Sequence, residues 1–268
     1  MKWIILSDIH ANLPALEVVF ADIESRFAGS LSKEKRSDVR IVSLGDQIGY
    51  HPYPNEVMDW VWNIADEVLI GNHEQSVYRI LNQQSVKKGC TLEAQWAMLW
   101  TADGLNSQNR DRLVELCSQQ RYMSVIDEVC FTHGRPDDPE KMQYTNTIED
   151  AQTGYLWSND PTRVCFVGHT HEPKIYTCSS GLSGQASIPQ NTVGVQSFDL
   201  SNAEKAMVVV PSVGQPRDGF ACTGYCIFDT DTRVLYLIRL PYDIQRVQSK
   251  MRELNFPRDL IERLPYGD

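Results

Sequence analysis

The chain has 268 residues and a formal net charge of −10, with 42% hydrophobic and 22% charged residues. This length and balance exclude disorder along most of the chain and lead us to expect a single domain over residues 1–268. The acidic charge excludes broad phosphate-backbone binding, which depends on Lys and Arg neutralising phosphates, so extended nucleic acid is not expected as a partner.

Lys2 to Leu6 is a short apolar run ending at Ser7-Asp8. It is too short for a signal sequence, and no later run is long enough to span a bilayer, so no membrane partner and a cytoplasmic location are expected. From Asn12, apolar residues at Leu16, Val19, Phe20, Ile23 and Phe27 mark a helix. Val39 to Leu44 reads as the second strand, Pro54 to Asn63 as a helix and Glu67 to Ile70 as the third strand. This alternation predicts an α/β core with parallel strands. Glu74 to Cys117 reads as mainly helical, and Tyr122 to Ile126, Asp127-Glu128 and Val129 to Thr132 as a hairpin. After a helix near Ile148 to Trp157, strands are expected at Val164 to Val167, Lys174 to Cys178, Val195 to Asp199, Ala206 to Val210, Thr223 to Phe228 and Val234 to Leu240. Ile244, Val247, Met251 and Leu254 mark a C-terminal helix, and the polar stretches Ser30 to Asp38 and Ser179 to Gln190 read as surface loops. The seven cysteines are scattered, with no CxxC pair, and read as reduced thiols; a disulfide or metal role for Cys222 and Cys226 is the minor alternative.

The chemistry sits at the strand ends. Asp8-Ile9-His10 follows the first strand, Gly45-Asp46-Gln47-Ile48-Gly49 the second and Gly71-Asn72-His73-Glu74 the third. Thr132-His133-Gly134 and Gly168-His169-Thr170-His171 follow two later strands, so five of the six histidines stand in such loops. Open α/β sheets bind ligands beyond the carboxyl ends of their strands. Any one of these motifs alone is most simply a cap or a turn. Together they gather more costly polar groups than a core tolerates without a shared partner. Carboxylate, imidazole and amide oxygen suit Zn, Mn or Fe, and the lack of thiolate ligands argues against a structural zinc site. A carboxylate bridging two ions about 3.5 to 4 Å apart is the arrangement used for in-line displacement at phosphorus.

In order and residue type the five blocks resemble the calcineurin-like metallophosphoesterases, whose pattern runs D-x-H, G-D-x-x-G, G-N-H-[DE], H and G-H-x-H. Gly49-Tyr50 with Pro54-Asn55-Glu56, Gln215-Pro216-Arg217-Asp218-Gly219 and Pro241-Tyr242-Asp243 extend the resemblance to the small bacterial and archaeal branch, which includes phosphodiesterases and diadenosine tetraphosphatase-like proteins. The resemblance implies a four-layer α/β/β/α sandwich of two mixed sheets, two divalent or trivalent metal ions, and a small phosphate-ester substrate. It implies one ion on Asp8, His10 and His171, a second on Asn72, His133 and His169, and Asp46 bridging both. It further implies in-line attack by a metal-bridging hydroxide, with Asp46 and Asn72 serving the reaction and His73 as general acid. Nucleotide or dinucleoside polyphosphates are the favoured substrates. A phosphomonoesterase or protein phosphatase of the same superfamily and a non-catalytic scaffold on the same fold are the alternatives.

Three departures bear on substrate. Protein Ser/Thr phosphatases carry an acidic residue and an arginine where this chain has Gly49 and Tyr50, which ranks that activity low. Val209-Val210-Pro211-Ser212 replaces the branch's Asn-Pro-Gly-Ser, and His51 replaces a glycine. His51 reads as a solvent-facing loop residue, with substrate contact as the alternative. Arg217 is a candidate clamp for a second phosphate or an ion-pair partner of Asp218 or a neighbouring helix, and Tyr50, Tyr53 and Tyr144 are candidate base-stacking rings against a default of packing.

Overall fold

The computed structural model describes residues 1–27, 36–85 and 90–268. Two six-stranded mixed sheets face each other. In the first, β1 (Lys2–Leu6), β2 (Val39–Ser43) and β3 (Glu67–Val68) run parallel, and β11 (Thr223–Asp229), β12 (Val234–Leu240) and β9 (Gly194–Asp199) continue it antiparallel from β1. The second orders β4 (Met123–Ile126), β5 (Val129–Thr132), β6 (Val164–Val167), β10 (Lys205–Val209), β7 (Lys174–Ser179) and β8 (Leu182–Gln185), with β5, β6 and β10 parallel.

Alternation along each strand divides the core into three slabs. Trp3 and Ile5 of β1 pack between the sheets with Val42, Phe131, Phe166, Val208 and Phe228. Ile4 and Leu6 point the other way, against α1 (Leu13–Phe27), α2 (Pro54–Ile64) and the helices that follow. On the outer face of the second sheet Cys130, Cys165, Val167, Met207 and Val209 pack on α6 (Ile148–Ala151) and the π-helical turn Gln152–Leu156. The result is the four-layer α/β/β/α sandwich with mixed sheets.

The expected elements are present with two differences. The third strand is only two residues long; its extension survives as single bonds from the Leu69 and Ile70 amides to the Ser43 and Arg121 carbonyls. The stretch Ser179 to Gln190 is not wholly a loop, because β8 pairs with β7 inside it. As an edge strand with mostly exposed side chains, β8 shows no apolar alternation to betray it. Of the loop expected over Ser30 to Asp38, residues 30–35 lie outside the described residues. Cys222 and Cys226 form no disulfide, and burial raises both thiols above their ordinary pKa. No helix among the described residues is long and apolar enough to cross a membrane.

Candidate metal centre

The carboxyl ends of β1, β2, β5 and β6 and the first turn of α3 (Asn72–Leu81) meet at one end of the sandwich. Backbone bonds join the loop after β1 to the loop after β2: Asp8, His10 and Ala11 donate to the carbonyls of Gly45, Asp46 and Gln47 at 3.1, 2.8 and 2.7 Å. The Ser212 hydroxyl donates to the Asp8 carbonyl at 2.8 Å and the Gly214 amide donates to the same oxygen, so the departing Val-Val-Pro-Ser segment still grips the first loop.

The side chains converge. Asp8, His10, Asp46 and His171 form one buried group and Asp46, His133 and His169 another, each with its ligand atoms within 4.8 Å of one another. Asp46 belongs to both. The Asn72 amide oxygen lies 3.2 Å from His133 Nε2, which places it on the second group. All seven residues expected as ligands are therefore brought together.

Two features show that this donor set fits metal. The His10 and His171 Nε2 atoms approach to 3.2 Å. Each ring directs Nδ1 at a backbone carbonyl, of Ile48 at 3.2 Å and of Gln215 at 2.5 Å, which fixes the proton on Nδ1 and leaves two lone pairs facing each other. A cation between them resolves that opposition, and a carbonyl behind each ligand histidine is the usual support of metal sites. Secondly, Asp8, His10, Asp46, His169 and His171 all have φ between 49° and 65°. Non-glycine residues held there cost of order 1 kcal/mol or more each, and such strain concentrates at functional sites.

The charges are strongly interdependent. Burial opposes ionisation of Asp8, but His171 beside it outweighs this and holds the carboxyl down to about 2. Asp46 lies well below its ordinary range because His133, His73 and His10 overcome its burial. His133 is pushed up to about 9 against burial by Asp46 and Asp8, whereas burial lowers His10, His169 and His171 and keeps them neutral. Metal ions would take over the neutralising role that the His133 proton plays here.

Glu74 builds the second loop. Its carboxylate accepts from the amides of Asp46, Gln47, Ile48 and Gly71 at 2.7, 2.8, 3.3 and 2.8 Å. Burial and Asp46 push this carboxyl up to about 7, yet four donors on two oxygens leave no acceptor for a carboxylic proton. The ionised form satisfies the geometry. In the sequence this residue reads only as the acid that ends the third motif and suits a helix first turn; its bonds to residues 46–48 are long-range and leave no local signal.

His73 flanks the cluster. Its amide donates to Asp46 Oδ1 at 2.8 Å, and its ring contacts His10 and Tyr50 at centroid separations of 4.6 and 4.5 Å. Its Nδ1 is buried without a partner, and a Cβ at Gly49 would lie 2.1 Å from that atom. The glycine thus makes room for the histidine and leaves its Nδ1 without the acidic neighbour of the protein phosphatases.

Among the flanking residues the reading of His51 changes, the default of packing holds for Tyr50, and one alternative for Arg217 falls away. His51 is not solvent-facing: it is 1% exposed and its Nδ1–H donates to the His10 carbonyl at 2.7 Å. Burial drives it down to about 3, so it is a neutral prop beneath the first loop, out of reach of substrate. Tyr50 is also largely buried, its ring packed on His10 and His73 and its hydroxyl 3.5 Å from Arg217 Nη2. Asp218 pairs with Arg239 and not with Arg217. Tyr144, 47% exposed, stacks on His169 at 4.0 Å, while Tyr53 is the residue before α2. Arg263, 4.8 Å from the Tyr50 ring centre, had no signal in the sequence.

The chain belongs to the calcineurin-like phosphoesterase family, whose model matches residues 1–190. It is accordingly a metal-dependent phosphoric ester hydrolase. A metallophosphoesterase from Sphaerobacter thermophilus is 29% identical, with full coverage of both chains and a TM-score of 0.78. An uncharacterized protein of Methanocaldococcus jannaschii is 29% identical over 98% of this chain and 97% of its own length. A hypothetical protein of Pyrococcus horikoshii, 16% identical, shares the fold with a TM-score of 0.75 over 100% of this chain and 98% of its own.

Proposed function

We propose that the chain hydrolyses phosphodiester or phosphoanhydride bonds of small molecules, with nucleotide and dinucleoside polyphosphates foremost. The position of Arg217 carries this reading. Its amide donates to the His171 carbonyl at 3.3 Å and its guanidinium reaches the Tyr50 hydroxyl, yet it also lines a cleft of about 440 Å3 with Lys174, Arg239 and Phe220. Among the described residues Arg217 has no ion-pair partner, so it remains available to oxygens of a second phosphate. A cleft of that size holds a substituent much larger than a phosphate oxygen.

The seven ligand residues would hold two divalent or trivalent ions, for which Mn, Fe and Zn match the donor set. When bound, the ions supply Lewis acidity at phosphorus and a lowered pKa for water. His73 is assigned proton donation to the leaving oxygen. Burial holds the ring down to about 4, and the negative charge of a phosphate bound beside it would favour the imidazolium, the form that can donate. Glu74 and His51 keep the second and first loops in shape, and Arg217 orients the leaving group.

Reconstitution with Mn, Fe or Zn and assay on bis-p-nitrophenyl phosphate against p-nitrophenyl phosphate tests the reading. Diester turnover is expected to exceed monoester turnover. His73→Ala should lower kcat about 100-fold or more at constant metal content. Faster monoester hydrolysis would transfer the assignment to a phosphomonoesterase.

A further inference from the structure

The opposite end of the sandwich holds a second concentration of charge, of the other sign. Where β1, β5 and β6 begin, a cavity of about 430 Å3 opens between the two sheets, with Trp3 and Phe228 in its floor and Arg40, Arg163 and Arg233 around it. Both rings are almost fully buried, and Arg40 lies over Trp3 at 5.9 Å from the ring centre. In a protein of net charge −10, three guanidinium groups share this cavity, and among the described residues none has a carboxylate within 4.0 Å.

Arg233 is the anchor. Its Nη1 donates to the carbonyls of Ala203 and Ser201 at 3.0 and 3.3 Å, while Nη2 is buried without a partner. Its backbone sits at φ 55°, a turn position that Gly or Asn occupies with less strain, so an arginine there is held at a cost. Arg163, immediately before β6, lines the same cavity. Burial first, and then Arg163, lower the Arg233 guanidinium, and Glu128 offsets this only in part. Two like charges held together around a hollow, one with a buried N–H left over, are stabilised by an oxyanion placed between them.

We propose that this cavity is a binding site for a small phosphate monoester, its dianionic group held by Arg163 and Arg233 with Arg40 at the rim and its organic part resting against the apolar floor. The site lies at the far end of the strands from the metal centre and does not depend on which ester that centre cleaves. Asp127 and Glu128, which also line it, disfavour ligands with acidic groups spread over their whole length.

Phenylphosphonate, which offers the same dianion without a cleavable ester, is the probe. Titrated calorimetrically into the metal-loaded protein, it should occupy a site whose affinity falls at least about tenfold in Arg163→Ala and further in Arg40→Ala/Arg163→Ala. Among the described residues neither the Arg40 nor the Arg163 side chain makes a hydrogen bond or ion pair that the substitution would break, and turnover of bis-p-nitrophenyl phosphate should be unchanged in both variants. Arg233→Ala, which also releases two carbonyls, serves as a second variant with thermal melting as its control. Benzoate should bind at least about tenfold more weakly, since one negative charge is missing. Identical titrations for wild type and both Arg163 variants would overturn the site, and equal affinity for benzoate would overturn the phosphate assignment.

Discussion

The two ends of the sandwich are made by the same strands and solve opposite problems. Strand β1 carries Trp3 at one end and leads to Asp8 and His10 at the other. Strand β5 begins at Val129 and leads to His133, and β6 follows Arg163 and leads to His169 and His171. At the metal end the backbone itself is strained, with five ligand residues in the left-handed region, and the His10 and His171 lone pairs oppose each other. At the arginine end Asp127 and Arg233 sit in the left-handed region, and the Arg233 Nη2 is a buried donor left without a partner. A fold whose middle is apolar in three slabs thus gathers a different polar cluster at each rim, histidines and carboxylates at one and guanidinium groups at the other.

Asp46→Asn tests the acceptor rim hardest. It removes the one charge shared by both ligand groups and should reduce both metal content and turnover by more than about 100-fold, the upper range for residues that merely support a ligand. Metal analysis beside a diesterase assay measures this; full metal retention would break the contrast. Glu74→Gln comes next. The amide puts an NH2 group among four N–H donors and should cost about 2–3 kcal/mol in denaturant unfolding, together with roughly tenfold weaker metal binding. Rescue by Glu74→Asp is not expected, because the shorter side chain cannot reach both loops.

The smallest effect belongs to the arginine rim. Asp229, lowered from its ordinary pKa by the Lys2 side chain and the Asp231 and Thr232 amides against its burial, stabilises the end of β11. Its folded pKa lies below the unfolded value, so its contribution is present above about pH 4 and is lost as pH falls through the folded pKa. Asp229→Asn should therefore lower stability by under about 1 kcal/mol at pH 7 and by less at about pH 3, below the unfolded pKa. Melting at both pH values checks the sign.

The metal end was readable in the sequence because each ligand stands directly after a strand, in a motif whose spacing is local. What escaped was whatever depends on the loops stacking on one another. His51 follows a Gly-Tyr pair that looks exposed, but the first loop settles on it and buries it. Glu74 has the position of a routine first-turn acid, yet three of its four bonds reach back to residues 46–48. The arginine end was not readable at all, since Arg40, Arg163 and Arg233 are far apart in the chain and only the facing of two sheets collects them. Strand β8 was missed for a third reason: with both faces largely wet, it carries no burial pattern.

The glycine at position 49 also bears on ancestry and engineering. With φ at +87° and His73 Nδ1 where its side chain would begin, any larger residue must move both the backbone and the proton donor. The acid found at this position in protein Ser/Thr phosphatases cannot be acquired here by one substitution without first displacing His73. Exchanging one active-site design for the other at this position therefore requires moving the ring of His73 as well.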